Sequence, residues 1–172
     1  SIGTDLYKVA SFDVVNKQLL RELSKTGNPI IMSVGMANID EIREAYDVLK
    51  VNNNNVAILH CVSAYPTQEK DANLGAINVL QNEFEDCVIG QSDHTAEIKV
   101  PLYAVAAGAQ IIEKHYKIDD DMDCVDAAVS ISEANMRNLV SEIRLLEQIM
   151  GEPVLNVSDV QEPAMIFRRP TI

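Results

Sequence analysis

Short apolar segments rich in β-branched residues alternate along the chain with longer amphipathic ones. The strand candidates begin at Tyr7 (YKVAS), Pro29 (PIIMSVG), Val56 (VAILHCVS), Cys87 (CVIGQS) and Gln110 (QIIEKH), at intervals of 22, 27, 31 and 23 residues. Each interval fits one strand, one helix and their connections. Near-continuous apolar strands imply burial on both faces, hence a parallel sheet covered by helices.

The intervening segments read as helices with recognisable ends. Residues 14–25 put Leu19, Leu20 and Leu23 on one stripe, and Gly27 follows as a stop. Asn38-Ile39-Asp40-Glu41 reads as a capping box that opens a helix to about Lys50, and the polar tetrad 52–55 suits a turn. Further helices are predicted over 74–84 and over the Ala-rich stretch 100–107. The longest should span Glu133–Met150, with Met136, Leu139, Val140, Ile143, Leu146 and Ile149 as its buried stripe and Gly151 at its end. The tail, 152–172, has three prolines and no clear period, and reads as a linker or docking segment. Five βα units make either a complete open sheet of the flavodoxin type or five-eighths of a TIM barrel, whose roughly 250 residues give about 31 per unit. Periodicity leaves both open.

Composition narrows the function classes. Of 172 residues, 47% are hydrophobic and 23% charged, an ordinary globular balance that excludes disordered and collagen-like chains. Fourteen basic against twenty-six acidic residues give a net charge of −12, so no nucleic-acid partner is expected. An anionic small substrate would need a local positive pocket. No apolar run approaches the roughly 18 residues of a membrane span, and no signal-peptide pattern opens the chain, so no membrane partner is expected either. Cys61, Cys87 and Cys124 are an odd number without CxxC spacing, which reads as reduced thiols in a cytoplasmic protein.

Polar residues gather where the strands end. The first ends with Lys8 and Ser11, the second with Ser33 before Gly35, and the third with Ser63 and Tyr65-Pro66-Thr67. The fourth ends with Ser92-Asp93-His94-Thr95 and the fifth with Glu113-Lys114-His115. In parallel α/β folds the strand C-termini share one edge, and that edge carries the active site. Period-two alternation points Glu113 and His115 one way and Lys114 the other, and gives Ser92 and His94 a shared direction. Two histidines on neighbouring strand ends can converge on one ion, and imidazole with carboxylate or water suits Mn, Zn or Fe. Simpler roles stand beside these: a solvated Lys8, a Glu113 paired with Lys114 or another base, and a Tyr65 that only makes a turn. His60 reads as a packed residue, and Asp119-Asp120-Asp121 with Asp123 as a solvated acidic loop, because the EF-hand glycine and terminal glutamate are absent.

In order along the chain, YKVASFD, IIMSVGM, LHCVSAYPT, Asn73-Leu74, IGQSDHT and GAQIIEKH resemble the N-acetylneuraminate (sialic acid) synthase family. The segment from Asp126 to Ser130, the long last helix and the FRRP of the tail fit as well. The resemblance implies condensation of phosphoenolpyruvate with an open-chain N-acetylhexosamine, such as N-acetylmannosamine, to a nine-carbon 2-keto sugar acid and phosphate. It implies a TIM-barrel catalytic domain followed by an antifreeze-like domain, and a homodimer in the full-length protein. A divalent ion, Mn or Mg, would be held by His94 and His115. Lys8, Ser11, Ser63 and Ser92 match positions that hold phosphoenolpyruvate. Ser33, Tyr65, Glu113 and Asp126 match positions near the sugar and the reacting carbons, with Glu113, Asp126 and Lys8 as the catalytic set. Against the family, residues 1–151 correspond to about strands four to eight of the barrel, and 152–172 to the linker toward the antifreeze-like domain. The remaining strands, with an early glutamate and another lysine, would come from the rest of the protein or from another chain. This chain alone is therefore expected to be inactive. Val34 stands where the family usually has Thr, and Ala127 follows Asp126 where many members have His. Both changes fall on the expected sugar side. They leave room for a legionaminate, pseudaminate or spore-coat precursor, for another sugar-condensing enzyme or metal aldolase, and for a non-catalytic half-barrel.

Overall fold

A computed structural model describes residues 3–52 and 55–169. Five strands alternate with five α-helices: β1 (Tyr7–Val9), α1 (Lys17–Ser24), β2 (Ile30–Ser33), α2 (Ile39–Lys50), β3 (Val56–Cys61), α3 (Gly75–Glu83), β4 (Val88–Asp93), α4 (Lys99–Ala106), β5 (Ile112–Lys114) and α5 (Glu133–Met150). All neighbouring strands are parallel and their order is sequential, β1-β2-β3-β4-β5. A flavodoxin sheet reverses direction after its first strands. This one never does, so right-handed crossovers put every intervening helix on the same side. That is the topology of an incomplete (β/α)8 wall, and it decides between the two architectures left open by periodicity.

Register sorts the strand residues into two faces. Val9, Ile30, Met32, Val56, Ile58 and Ile89 meet Leu20, Ile42, Leu49, Ile77, Leu80 and Ala104 from the helices in one continuous core. The opposite face presents Lys8, Ile31, Ser33, Leu59, Cys61, Gly90, Ser92 and Glu113, which are linked across the strands by the pairs Ser33↔Leu59, Cys61↔Ser92 and Ser92↔Glu113. A Cβ on Gly90 would collide with the Ile111 carbonyl and the Leu59 side chain, so only glycine fits between those strands.

The helix ends follow the local chemistry. Asn38 accepts from the amides of Asp40 and Glu41 while Glu41 reaches back to the Asn38 amide, completing the expected capping box. Helix α1 starts later than the pattern suggests, because Asn16 caps it by accepting from Leu19 N–H. The stripe on α5 is less buried than its periodicity predicts. Leu139 is fully enclosed, whereas Val140 is 48% and Ile149 71% exposed. Helix α5 packs on α4, and Met136, Leu139, Val140 and Ile143 then face a groove of about 430 Å³ shared with Ile31, Leu59 and Ile111 beside β5. Among the described residues that strand pairs only with β4, with a bridge of Tyr116 to Ile131 just beyond its end, and Val140 and Ile149 of the stripe stay exposed.

The acidic loop 119–123 is exposed, as expected. In the tail a 3-10 helix, Asp159–Phe167, forms with its residues exposed, an element the sequence pattern does not announce. The turn at 52–55 and the last residue of FRRP lie partly outside the described residues.

Candidate active site

The polar strand ends meet at one edge of the sheet. A cavity of about 150 Å³ there is lined by Lys8, Ser11, Ser33, Tyr65, Ser92, His94, Glu113 and His115. Eight residues singled out from the sequence thus share one small space. The mutual geometry is specific. Lys8 Nζ donates to Ser33 Oγ at 2.9 Å and lies 3.3 Å from Glu113 Oε1. Ser92 Oγ donates to the same Glu113 oxygen at 2.7 Å. Lys8 remains exposed on the edge strand but is held by Ser33 and Glu113, and Glu113 pairs with Lys8 rather than with Lys114. Lys8 supplies a local positive charge in a chain of net −12.

On the β2 side, the Gly35 amide donates to Ser11 Oγ at 2.9 Å. A Cβ on Gly35 would run into the hydroxyls of Ser63 and Ser11 and the Cys61 carbonyl, so the backbone must be bare for these hydroxyls to close in. Ser63 does not line the cavity itself and sits behind Gly35. Asp126, in a left-handed conformation at φ 65°, puts Oδ2 3.7 Å from His115 Nδ1. Such a conformation is sparsely populated for a non-glycine residue, and Asp tolerates it better than most. The Ser130 hydroxyl and the Val129 amide, both donating to the Asp126 carbonyl, hold the turn.

The two histidine rings stand 5.3 Å apart, centroid to centroid, and Tyr65 stacks 4.0 Å from His94 with its edge toward His115. His94 Nδ1 lies 2.8 Å from the Val62 carbonyl, which assigns the proton to Nδ1 and leaves the Nε2 lone pair for a ligand. Burial opposes the charged form of His94, but the Cys61 thiol, the Val62 carbonyl and Asp93 outweigh it and hold the imidazole above its ordinary 6.5. His115 lies below that value, through burial first and then the neighbouring His94. Among the described residues no three His, Cys, Asp or Glu side chains already converge as a metal cluster. The donor set fits a divalent ion bound by two imidazoles, with water or a carboxylate completing the shell.

Sequence reasoning missed Cys61 as a member of the site. It lines the cavity with Sγ 3.7 Å from His94 Nδ1. Burial would raise this thiol, yet contacts with His94, Ser11 and Ser92 bring it below 9.0. Strand parity carries the signal, because Cys61 is the register partner of Ser92. His60 is packed as expected, with Nε2 2.8 Å from the Ala72 carbonyl. Val34 departs from expectation. Its side chain is buried and lines a separate apolar groove between α2 and α3 with Met36, Ile39 and Val79, so the missing hydroxyl is not one this cavity would have received.

Comparisons with known proteins bear on the family. An N,N'-diacetyllegionaminic acid synthase of Campylobacter jejuni is 35% identical over 164 residues, 94% of this chain and 49% of that protein. The human N-acetylneuraminate-9-phosphate synthase is 35% identical over 152 residues, covering 88% of this chain and 42% of the human one. The crystal structure of an N-acetylneuraminic acid synthetase from Leptospira borgpetersenii superposes with a TM-score of 0.92 at 37% identity, over 97% of this chain and 58% of that one. This chain thus spans about half the length of the curated relatives it matches. The model of the NeuB family matches residues 1–154, which takes in all five strands and the whole cavity. With the motifs, the sheet and the site in agreement, this chain belongs to the NeuB family.

Proposed function

We propose that this chain is the C-terminal part, residues 1–151, of the barrel of a nonulosonate synthase, with 152–172 leading toward an antifreeze-like domain. The reaction is condensation of phosphoenolpyruvate with an open-chain N-acetylhexosamine. The observation that carries this reading is the convergence of His94 and His115 with the Lys8–Glu113–Ser92 group in one cavity at the strand C-termini. A manganese or magnesium ion held by His94 and His115 would supply Lewis acidity toward the sugar aldehyde.

The chain's own residues account for the remaining steps. Lys8, Ser11 and Ser92 offer a cation and hydroxyls to the phosphate and carboxylate of phosphoenolpyruvate, while Ser63, behind Gly35, stands outside the cavity. Its methylene carbon then bonds to the aldehyde carbon, whose oxygen takes a proton. Positive charge develops at the former enol carbon, and Glu113 lies where a carboxylate can offset it and orient the attacking water. Water adds to that carbon and its released proton balances the one taken by the sugar oxygen. Phosphate then leaves with cleavage of its C–O bond, carrying off the proton of the added hydroxyl as the ketone forms. Asp126, Tyr65 and Ser33 orient the sugar.

Lys8 alone is a small counter-charge for a polyanionic substrate. Among the described residues β1 pairs only with β2 and β5 only with β4, so three further strands would close the wall and bring the further lysine expected of the family. The relatives named above are synthases of different sugar acids, and the departure at Ala127 leaves a legionaminate-type acceptor as the alternative. A full-length homodimer and a cytoplasmic location belong to the same proposal. Phosphate release from phosphoenolpyruvate with Mn2+ and a panel of N-acetylhexosamines tests it, with and without a polypeptide supplying the other strands. Turnover only in the complemented sample is the expected result. Silence across the whole panel in the complemented sample would sink it.

A further inference from the structure

Behind the cavity, on the helix-facing side of the sheet, lies an ion pair that the proposed chemistry does not use. Lys114 Nζ meets Asp93 Oδ2 at 2.8 Å with both side chains only 1% exposed. Asp93 is saturated by further donors: Gln91 Nε2 at 3.2 Å on one oxygen, and Thr95 N–H at 3.2 Å and Thr95 Oγ1 at 2.8 Å on the other. Lys114 also donates to the Thr95 carbonyl. Replacing such a pair by apolar side chains is often neutral or stabilising, so its presence is poorly explained by stability alone.

Its place in the register suggests another role. Asp93↔Lys114 is the last paired position of β4 and β5. Strand alternation then sends the residues on either side through to the opposite face. These are Ser92 with Glu113 before the pair, and His94 with His115 after it. Thr95, held by both charged groups, closes the turn that follows His94, and the His94 carbonyl accepts from the Thr67 amide at 2.9 Å. We propose that the Asp93–Lys114 pair is a positioning device: it clamps the ends of β4 and β5 from behind and so sets the spacing of His94 and His115 in the cavity. Neither residue touches substrate or ion.

The test uses the 172-residue chain with labelled histidine and tyrosine rings. In the parent, nuclear Overhauser contacts link the Tyr65, His94 and His115 rings. In Lys114→Met and Asp93→Asn these contacts disappear while far-UV circular dichroism is unchanged. The double variant Asp93→Asn/Lys114→Met leaves no buried charge unpaired, and serves if a single variant does not fold. It loses the contacts too. Mn2+ affinity, followed by the electron paramagnetic resonance of the free ion, falls about 10- to 100-fold in the folded variants, as for loss of an outer-shell partner. The Mn2+ arm rests on the metal reading proposed above, whereas the ring contacts do not. A parent that shows ring contacts but binds no Mn2+ overturns the metal reading and leaves the clamp standing on the ring contacts. Ring contacts that persist in any folded variant overturn the clamp. So does failure of all three variants to fold, which would assign the pair to global stability.

Discussion

At the scale of single residues, the buried Cys61 and the half-buried Cys87 have been pushed in opposite directions by their surroundings. Cys61 contacts His94 in the cavity and lies below its ordinary value despite burial. Burial pushes the Cys87 thiol up to about 11, with its Sγ donating to the Val56 carbonyl. Thiolate is the reactive form, and two pKa units are worth roughly a hundredfold in its population. Iodoacetamide at pH 8 should therefore label Cys61 before Cys87, with Cys87 gaining reactivity only as pH climbs toward about 11. The His94→Gln variant should slow Cys61 labelling, because the imidazole is the main influence that lowers it. Peptide mass spectrometry over time reads both, and earlier labelling of Cys87 would contradict the assignment. Strand alternation in the sequence was enough to separate His94 and His115 from Lys114. It did not reveal Cys61 as a neighbour of His94, because that contact bridges the ends of two strands.

At the scale of elements, the capping box on α2 and the fully buried strand β3 are local features, and the structure follows the sequence closely there. Helix α5 is the instructive exception. Its apolar spacing is real, but a stripe is buried only where another element lies against it. Leu139 touches the core at 2% exposure, whereas Ile149 is 71% exposed. Leu139→Ala should cost about 2–5 kcal/mol of stability. Ile149→Ala should stay within about 0.5 kcal/mol. Urea denaturation of the two variants checks the contrast, and equal losses would mean that Ile149 is covered in solution. The Val34 result has the same origin. A missing hydroxyl in a motif has meaning only once the direction of its side chain is known, and Val34 faces the groove between α2 and α3.

For the whole molecule, among the described residues β1 pairs only with β2 and β5 only with β4, apart from the bridge of Tyr116 to Ile131 just past β5, and an apolar groove of about 430 Å³ lies beside β5. Unpaired edges recruit strands, and exposed apolar surface favours association. The net charge of −12 opposes self-association, and salt screens that repulsion. The isolated chain should therefore shift from monomer toward larger species as salt is raised. Addition of a polypeptide carrying the complementary strands should instead give a defined one-to-one complex. Light scattering after size-exclusion chromatography distinguishes the two, and a salt-independent monomer that ignores the added polypeptide would refute the edge argument.

The sequence by itself determined what depends on neighbours along the chain. It set five βα units, their approximate ends, the capping box, and the gathering of polar groups at the strand C-termini. It also carried the family motifs, and the family model matches residues 1–154. Tertiary structure decided everything that depends on which element lies beside which. Periodicity could not separate a barrel wall from a flavodoxin sheet, since both share one local period, and strand order decided it as the family motifs implied. Pairing across strands gave Glu113 to Lys8 and Asp93 to Lys114, and placed Cys61 against His94. The physical reason is range. Propensity, capping and alternation act over a few residues, whereas burial, charge pairing and a shared cavity are set between groups 20 to more than 100 residues apart, as in Lys114–Asp93 and Lys8–Glu113.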